Sequence, residues 1–133
     1  EGVEGFLNLC KECGIALGIA TSNSRELVEN VISVHGLKGY FSCIMTGCDV
    51  AKGKPSPDIY LAVAKKLDVP PSRCLVFEDI IPGIMAGKAA GMKVCAVEDA
   101  YSIAQKEAKQ AAADYYIKDF TGLSAEYKRK QIS

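Results

Sequence analysis

Two acidic side chains, Glu78 and Asp79, stand side by side at the end of the apolar run Cys74-Leu75-Val76-Phe77. Adjacent carboxylates repel each other and need a cation or a basic partner. Magnesium suits such a pair, because a hard ion takes one or two protein carboxylates and fills its remaining positions with waters and phosphate oxygens. Upstream, Lys54 precedes Pro55-Ser56-Pro57-Asp58. The proline restricts the lysine's own backbone, so the ammonium is held in place. Earlier still, Thr21-Ser22-Asn23 follows the run Ile15 to Ala20. Two hydroxyls, an amide and consecutive backbone N–H groups just ahead of a helix can hold a phosphate. Singly, each piece has an ordinary structural reading: turn and capping residues, a helix start, an exposed acidic pair. In order, they make a phosphate grip, a cation and a metal-type carboxylate pair.

The elements that must position these residues alternate along the chain. Val3, Phe6, Leu7, Leu9 and Cys10 recur at helical spacing, and Gly14 stops that helix. Ile15 to Ala20 reads as a strand buried on both faces, and Ser24 then caps a helix carrying Leu27, Val28, Val31 and Ile32 that ends at Gly36. Further strands are predicted at Ser42 to Thr46, Cys74 to Phe77, Lys93 to Val97 and Tyr115 to Ile117, with helical sequence beginning near Pro57, Pro82, Ser102 and Thr121. The charged tail Glu126 to Lys130 reads as a solvated helix face. Such alternation implies an α/β, Rossmann-like parallel sheet covered by helices on both faces. No repeat or Ser/Gly-rich linker interrupts it, so residues 1–133 are read as one domain.

Composition narrows the function. Sixteen basic and sixteen acidic residues cancel, so no broad field draws the chain to nucleic acid or to an anionic membrane. The longest apolar stretches are too short to span a bilayer, and a cytoplasmic location is expected. Six cysteines without a secretory signal read as free thiols. Cys43, Cys74 and Cys95 fall inside predicted strands, and helical spacing places Cys10 and Cys13 beside Phe6 and Leu9 on one apolar face rather than in a zinc or redox site. His35, the one histidine, reads as a helix C-terminal cap before Gly36 and not as a general base.

In type and order, Thr21-Ser22-Asn23, the Lys-Pro-x-Pro-Asp pattern at Lys54 and Glu78-Asp79 resemble motifs two, three and four of the haloacid dehalogenase (HAD) superfamily of phosphohydrolases and phosphomutases. The resemblance is closest to its β-phosphoglucomutase-like branch. Pro82-Gly83-Ile84 and Ala89-Ala90-Gly91-Met92 resemble the family's continuation, whereas Ile80 stands where a Ser often follows the acidic pair. The resemblance implies that Thr21, Ser22, Asn23 and Lys54 bind phosphate. It casts Lys54 as the catalytic cation, neutralising a nucleophile and the phosphoryl group in transit, and Glu78 with Asp79 as the ligands of Mg2+. Lys52 is the nearby competitor, which the pattern leaves as a surface charge. A small phosphorylated metabolite, such as a sugar phosphate, is the implied substrate.

The family's first motif, an Asp-x-Asp at the end of the first strand, does not occur where it should, and no cap domain is present. The resemblance covers nearly all of Glu1 to Phe120, yet only about the second half of a full member. In the family sheet the nucleophile strand lies between the motif-two and motif-four strands. Two strand groups facing each other across a gap are therefore expected, with the chain as a partial core from the C-terminal portion of a longer enzyme. Alone it is expected to be inactive without a complementing N-terminal segment or second chain. The leading reading is a magnesium-dependent phosphatase. The alternatives are a sugar-phosphate mutase and a non-catalytic phosphate- or partner-binding domain. A receiver-like or nucleotide-binding domain fits less well, since no G-x-G-x-x-G and no P-loop follow any strand.

Overall fold

A computed structural model describes residues 2–121. Ten principal elements follow in order: α1 (Val3–Glu12), β1 (Gly18–Thr21), α2 (Arg25–Val34), β2 (Cys43–Thr46), α3 (Asp58–Leu67), β3 (Leu75–Glu78), α4 (Ile81–Ala89), β4 (Lys93–Val97), α5 (Lys106–Ala112) and β5 (Tyr115–Ile117). The helix expected near Thr121 and the tail from Glu126 lie outside the described residues.

Local chemistry accounts for the boundaries. Ser24 caps α2, its Oγ accepting the Leu27 N–H at 3.2 Å, and Gly36 beyond its end takes a left-handed φ of 65°, which costs a glycine nothing. His35 occupies the C-cap of α2, as its position before Gly36 implied. Pro82 sits in the first turn of α4, where its missing N–H is no loss. Four expectations need correction. The first strand runs from Gly18 to Thr21 and is only half-buried, with Ile15 52% exposed, because β2 is its one partner among the described residues. The sequence from Ser102 enters a 3-10 turn over Ala100–Gln105 before α5 begins at Lys106. Cys74 lies just before β3, and Cys13 is exposed past the end of α1 while Cys10 is buried, so the C-x-x-C does not share one face.

All strand pairs are parallel, but they form two sheets among the described residues: β1–β2, and β3–β4–β5. The two expected strand groups are thus present, with no ladder between β1 and β3. Helix α3 lies on β1 and β2 and also touches α4, while α4 covers β3 and β4. Ile59 and Ala64 of α3 join Ile84 and Ala86 of α4, Val76 of β3 and Val94 and Ala96 of β4 in one buried cluster. Fully buried Ile59 and Ile84 each contribute about 1.5–3 kcal/mol on area grounds. A side chain at Gly87 would approach Val94 Cγ2 to 2.7 Å, so glycine there sets how closely α4 sits on the sheet. Strands β1, β2 and β3 end at Thr21, Thr46 and Glu78, and the loops at these C-terminal ends carry the residues with chemistry.

Candidate active site

Lys54 lies in the connection from β2 to α3, and its bond to Pro55 is cis. Its Nζ donates to Glu78 Oε2 at 2.7 Å and to the Ala20 carbonyl at 3.3 Å. One lysine therefore ties the residue before Thr21 to the residue before Asp79, joining the ends of two strands that share no backbone hydrogen bond. Both partners are buried, with side-chain exposures of 9% for Lys54 and 8% for Glu78. Lys52, by contrast, is exposed.

A third group completes this pair. Tyr60, two residues into α3 and buried, donates its hydroxyl to the same Glu78 Oε2 at 2.5 Å, and its ring lies 5.3 Å from the Lys54 ammonium. Sequence reasoning missed Tyr60. The available signal was a phenol in the first turn of an otherwise apolar helix stretch, since a buried Tyr hydroxyl must find a partner. Burial alone would push the Glu78 carboxyl up, but the hydrogen bonds from Lys54 and Tyr60 and the charge of Lys54 outweigh it and hold the group below its ordinary range. Desolvation and then the Glu78 charge push the Tyr60 phenol far above its ordinary value, so it stays a donor. Gly83, in the first turn of α4, faces this carboxylate so closely that a Cβ there would overlap Glu78 Cδ and Oε2.

The two carboxylates of the acidic pair are thus unequal. Glu78 gives Oε2 to Lys54 and Tyr60, while its Oε1 accepts the Asp79 N–H at 3.2 Å. Asp79 is exposed, and its carboxyl is raised by partial desolvation, then by hydrogen bonding to Glu78 and the charges of Glu78 and Asp99. An exposed hard-oxygen donor whose ionised form is disfavoured by neighbouring carboxylates fits a divalent cation, which would relieve that repulsion. Among the described residues no group of three or more His, Cys, Asp or Glu gathers as a metal site. One or two carboxylates with waters and phosphate oxygens is the coordination that magnesium takes.

On the β1 side, Thr21 Oγ1 accepts the Asn23 N–H at 3.1 Å. That amide is spent inside the turn, leaving the exposed Ser22 and Asn23 side chains as the outward-facing polar groups ahead of α2. Arg25 reinforces this end. Its Nη2 donates to the Ile44 carbonyl at 2.8 Å and to Asp49 Oδ2 at 3.0 Å, and Asp49 in turn accepts the Thr46 N–H and hydroxyl. These Thr46 hydrogen bonds, more than Arg25, hold the Asp49 carboxyl below its usual range. The structure therefore gathers Lys54, Glu78 and Asp79, with Thr21-Ser22-Asn23 adjoining through Ala20.

The site thus joins a lysine, an acidic pair and a hydroxyl-rich turn at the strand ends of a parallel α/β fold. The chain belongs to the haloacid dehalogenase-like hydrolase family, whose model matches residues 1–97. It is 48% identical over 97 residues to a bifunctional riboflavin kinase/FMN phosphatase of Arabidopsis thaliana, an alignment covering 72% of this chain and 26% of the relative. Among solved structures it is similar to CbbY of Rhodobacter sphaeroides in complex with xylulose-(1,5)bisphosphate, with 33% identity, a TM-score of 0.82 and coverage of 90% of this chain and 53% of that one. It also resembles a putative β-phosphoglucomutase from Thermotoga maritima, at 29% identity and a TM-score of 0.80, covering 96% of this chain and 59% of that one. The chain spans between about a quarter and three fifths of these relatives. No helix among the described residues is long and apolar enough to cross a membrane.

Proposed function

We propose that this chain supplies the phosphate- and metal-binding part of a magnesium-dependent phosphatase acting on small phosphorylated metabolites, sugar phosphates among them. The observation that carries the reading is the buried Lys54–Glu78 pair, which fixes one ammonium between the Thr21-Ser22-Asn23 turn and Asp79. Ser22 and Asn23 bind the phosphate oxygens. Lys54 offsets the charge of the phosphoryl group and of the carboxylate that attacks it, and Tyr60 keeps the lysine's counter-ion in place. Bound at Asp79, magnesium would neutralise charge on the phosphate and orient it. Glu78 serves first as the anchor of Lys54 and only through its neighbour as part of the metal site.

The likeness to a putative β-phosphoglucomutase favours a second reading, a sugar-phosphate mutase. The test is a screen of sugar phosphates and FMN with the protein expressed from its complete gene, following inorganic phosphate and isomerised sugar phosphate with and without Mg2+. Phosphate release that requires Mg2+ and is lost in Asp79→Asn supports the phosphatase. Isomer formation without phosphate release selects the mutase. Turnover indifferent to chelation and to Asp79→Asn overturns the metal assignment, and binding of phosphate esters without turnover leaves a binding domain.

A further inference from the structure

Lys109 is the largest of the fully buried side chains, 1% exposed, and among the described residues the other lysines are mostly solvated. Burying an ammonium is expensive unless its donors are used. Lys109 Nζ donates to the Val97 carbonyl at 2.7 Å and to Ser102 Oγ at 3.3 Å, with the Tyr116 ring 6.0 Å away. Neither partner carries a charge. The nearest charge along this chain of hydrogen bonds belongs to Asp99, whose Oδ2 lies 3.3 Å from Ser102 Oγ. The same hydroxyl lies 3.5 Å from the main-chain oxygen of Asp79. Ser102 thus touches the backbone of the proposed metal-binding residue on one side and a buried cation on the other.

The backbone places it there. Ser102 interrupts the 3-10 turn with φ −120° and ψ 24°, and its N–H donates to the Asp99 carbonyl at 3.1 Å. The connection from β4 to α5 therefore folds back over the end of β3, and Lys109, from the first turns of α5, clamps that connection at two points: Val97 at its start and Ser102 at its kink.

We infer that Lys109 and Ser102 are positioning residues for the metal-binding turn: the buried ammonium fixes Ser102, and the single hydroxyl proton of Ser102, shared between the Asp99 carboxylate and the Asp79 carbonyl, holds these two in register. Nothing in the phosphate grip or the Lys54–Glu78–Tyr60 group requires a cation at the far side of the connection, and this role supplies a reason for one. The inference rests on the assignment of Asp79 as the metal ligand. Groups that hold a ligand's support in register typically change metal affinity by about 10- to 100-fold when removed.

The test is a titration of Mn2+, read by the loss of the free-ion electron paramagnetic resonance signal, on the protein from its complete gene without substrate. Asp79→Asn, Ser102→Ala, Ser102→Thr and Lys109→Met are compared, together with the Mg2+ dependence of turnover. The expected result is a Kd about tenfold weaker in Ser102→Ala, recovered in Ser102→Thr, with kcat at saturating Mg2+ little changed. Lys109→Met should follow Ser102→Ala; if it does not fold, the Ser102 pair decides alone. An unchanged Kd in Ser102→Ala, while Asp79→Asn abolishes binding, overturns the inference and leaves the metal assignment standing. Full Mn2+ binding by Asp79→Asn overturns both.

Discussion

Replacing Tyr60 with Phe removes one hydroxyl and leaves the ring, its packing in α3 and its place beside the Lys54 ammonium. The lost hydrogen bond runs to an ionised carboxylate in a site only 8% exposed. Hydrogen bonds to charged groups contribute about 1.5–3 kcal/mol, and because Lys54 still holds Glu78 Oε2 the lower part of that span, about 2 kcal/mol, is expected. That equals about a 30-fold change in the folding equilibrium. The sign follows from the direction of the shift. Glu78 is held below its ordinary 4.5, so its contribution is present above that value and is lost as pH falls through the folded-state value. Tyr60→Phe moves the folded-state value back up, so the variant loses its stabilisation earlier on acidification. Urea unfolding followed by far-UV circular dichroism should show the midpoint lowered by about 1 M near neutral pH. The difference from wild type should shrink to well under about 1 kcal/mol once Glu78 is protonated in both. A midpoint that is unchanged at neutral pH, or an equal loss at neutral and strongly acid pH, would refute the claim that Tyr60 acts through the Glu78 charge.

Lys54→Met leaves Glu78 buried without its cation, held only by the Tyr60 hydroxyl and the Asp79 N–H, so about 3–5 kcal/mol of stability should disappear in the same unfolding assay. Turnover of the complete enzyme should fall by at least about 100-fold, and near-normal activity would remove the lysine's role. Gly83→Ala drives a Cβ into the Glu78 carboxylate and should cost about 1–3 kcal/mol. A neutral effect on thermal unfolding would show that the first turn of α4 does not sit against Glu78.

The strand-and-helix alternation was legible because each signal is local: Ser24 ahead of its helix, Gly36 after it, Pro82 at a helix start. Lys54 was legible because Pro55 and Pro57 follow it, and the acidic pair because it ends an apolar run. Ile15 was misread, since an apolar run alone does not say which of its residues will find a strand partner; β2 pairs only from Gly18 onward. Nor does any local signal announce the bend at Ser102 that delays α5 to Lys106.

The sequence by itself determined the kinds of group available and the strand ends on which they sit, because periodicity, caps and prolines act over a few residues. Only the tertiary structure decided how they divide the work. Lys54 and Tyr60 lie 24 and 18 residues from Glu78 and meet it because α3 packs on β1 and β2 and against α4. That meeting makes two adjacent carboxylates unlike: burial and two donors commit Glu78 to the lysine, while Asp79 stays exposed. The same holds for Lys109, an ordinary helix lysine in one dimension, which the fold of the connection from β4 to α5 turns into a buried clamp behind Asp79.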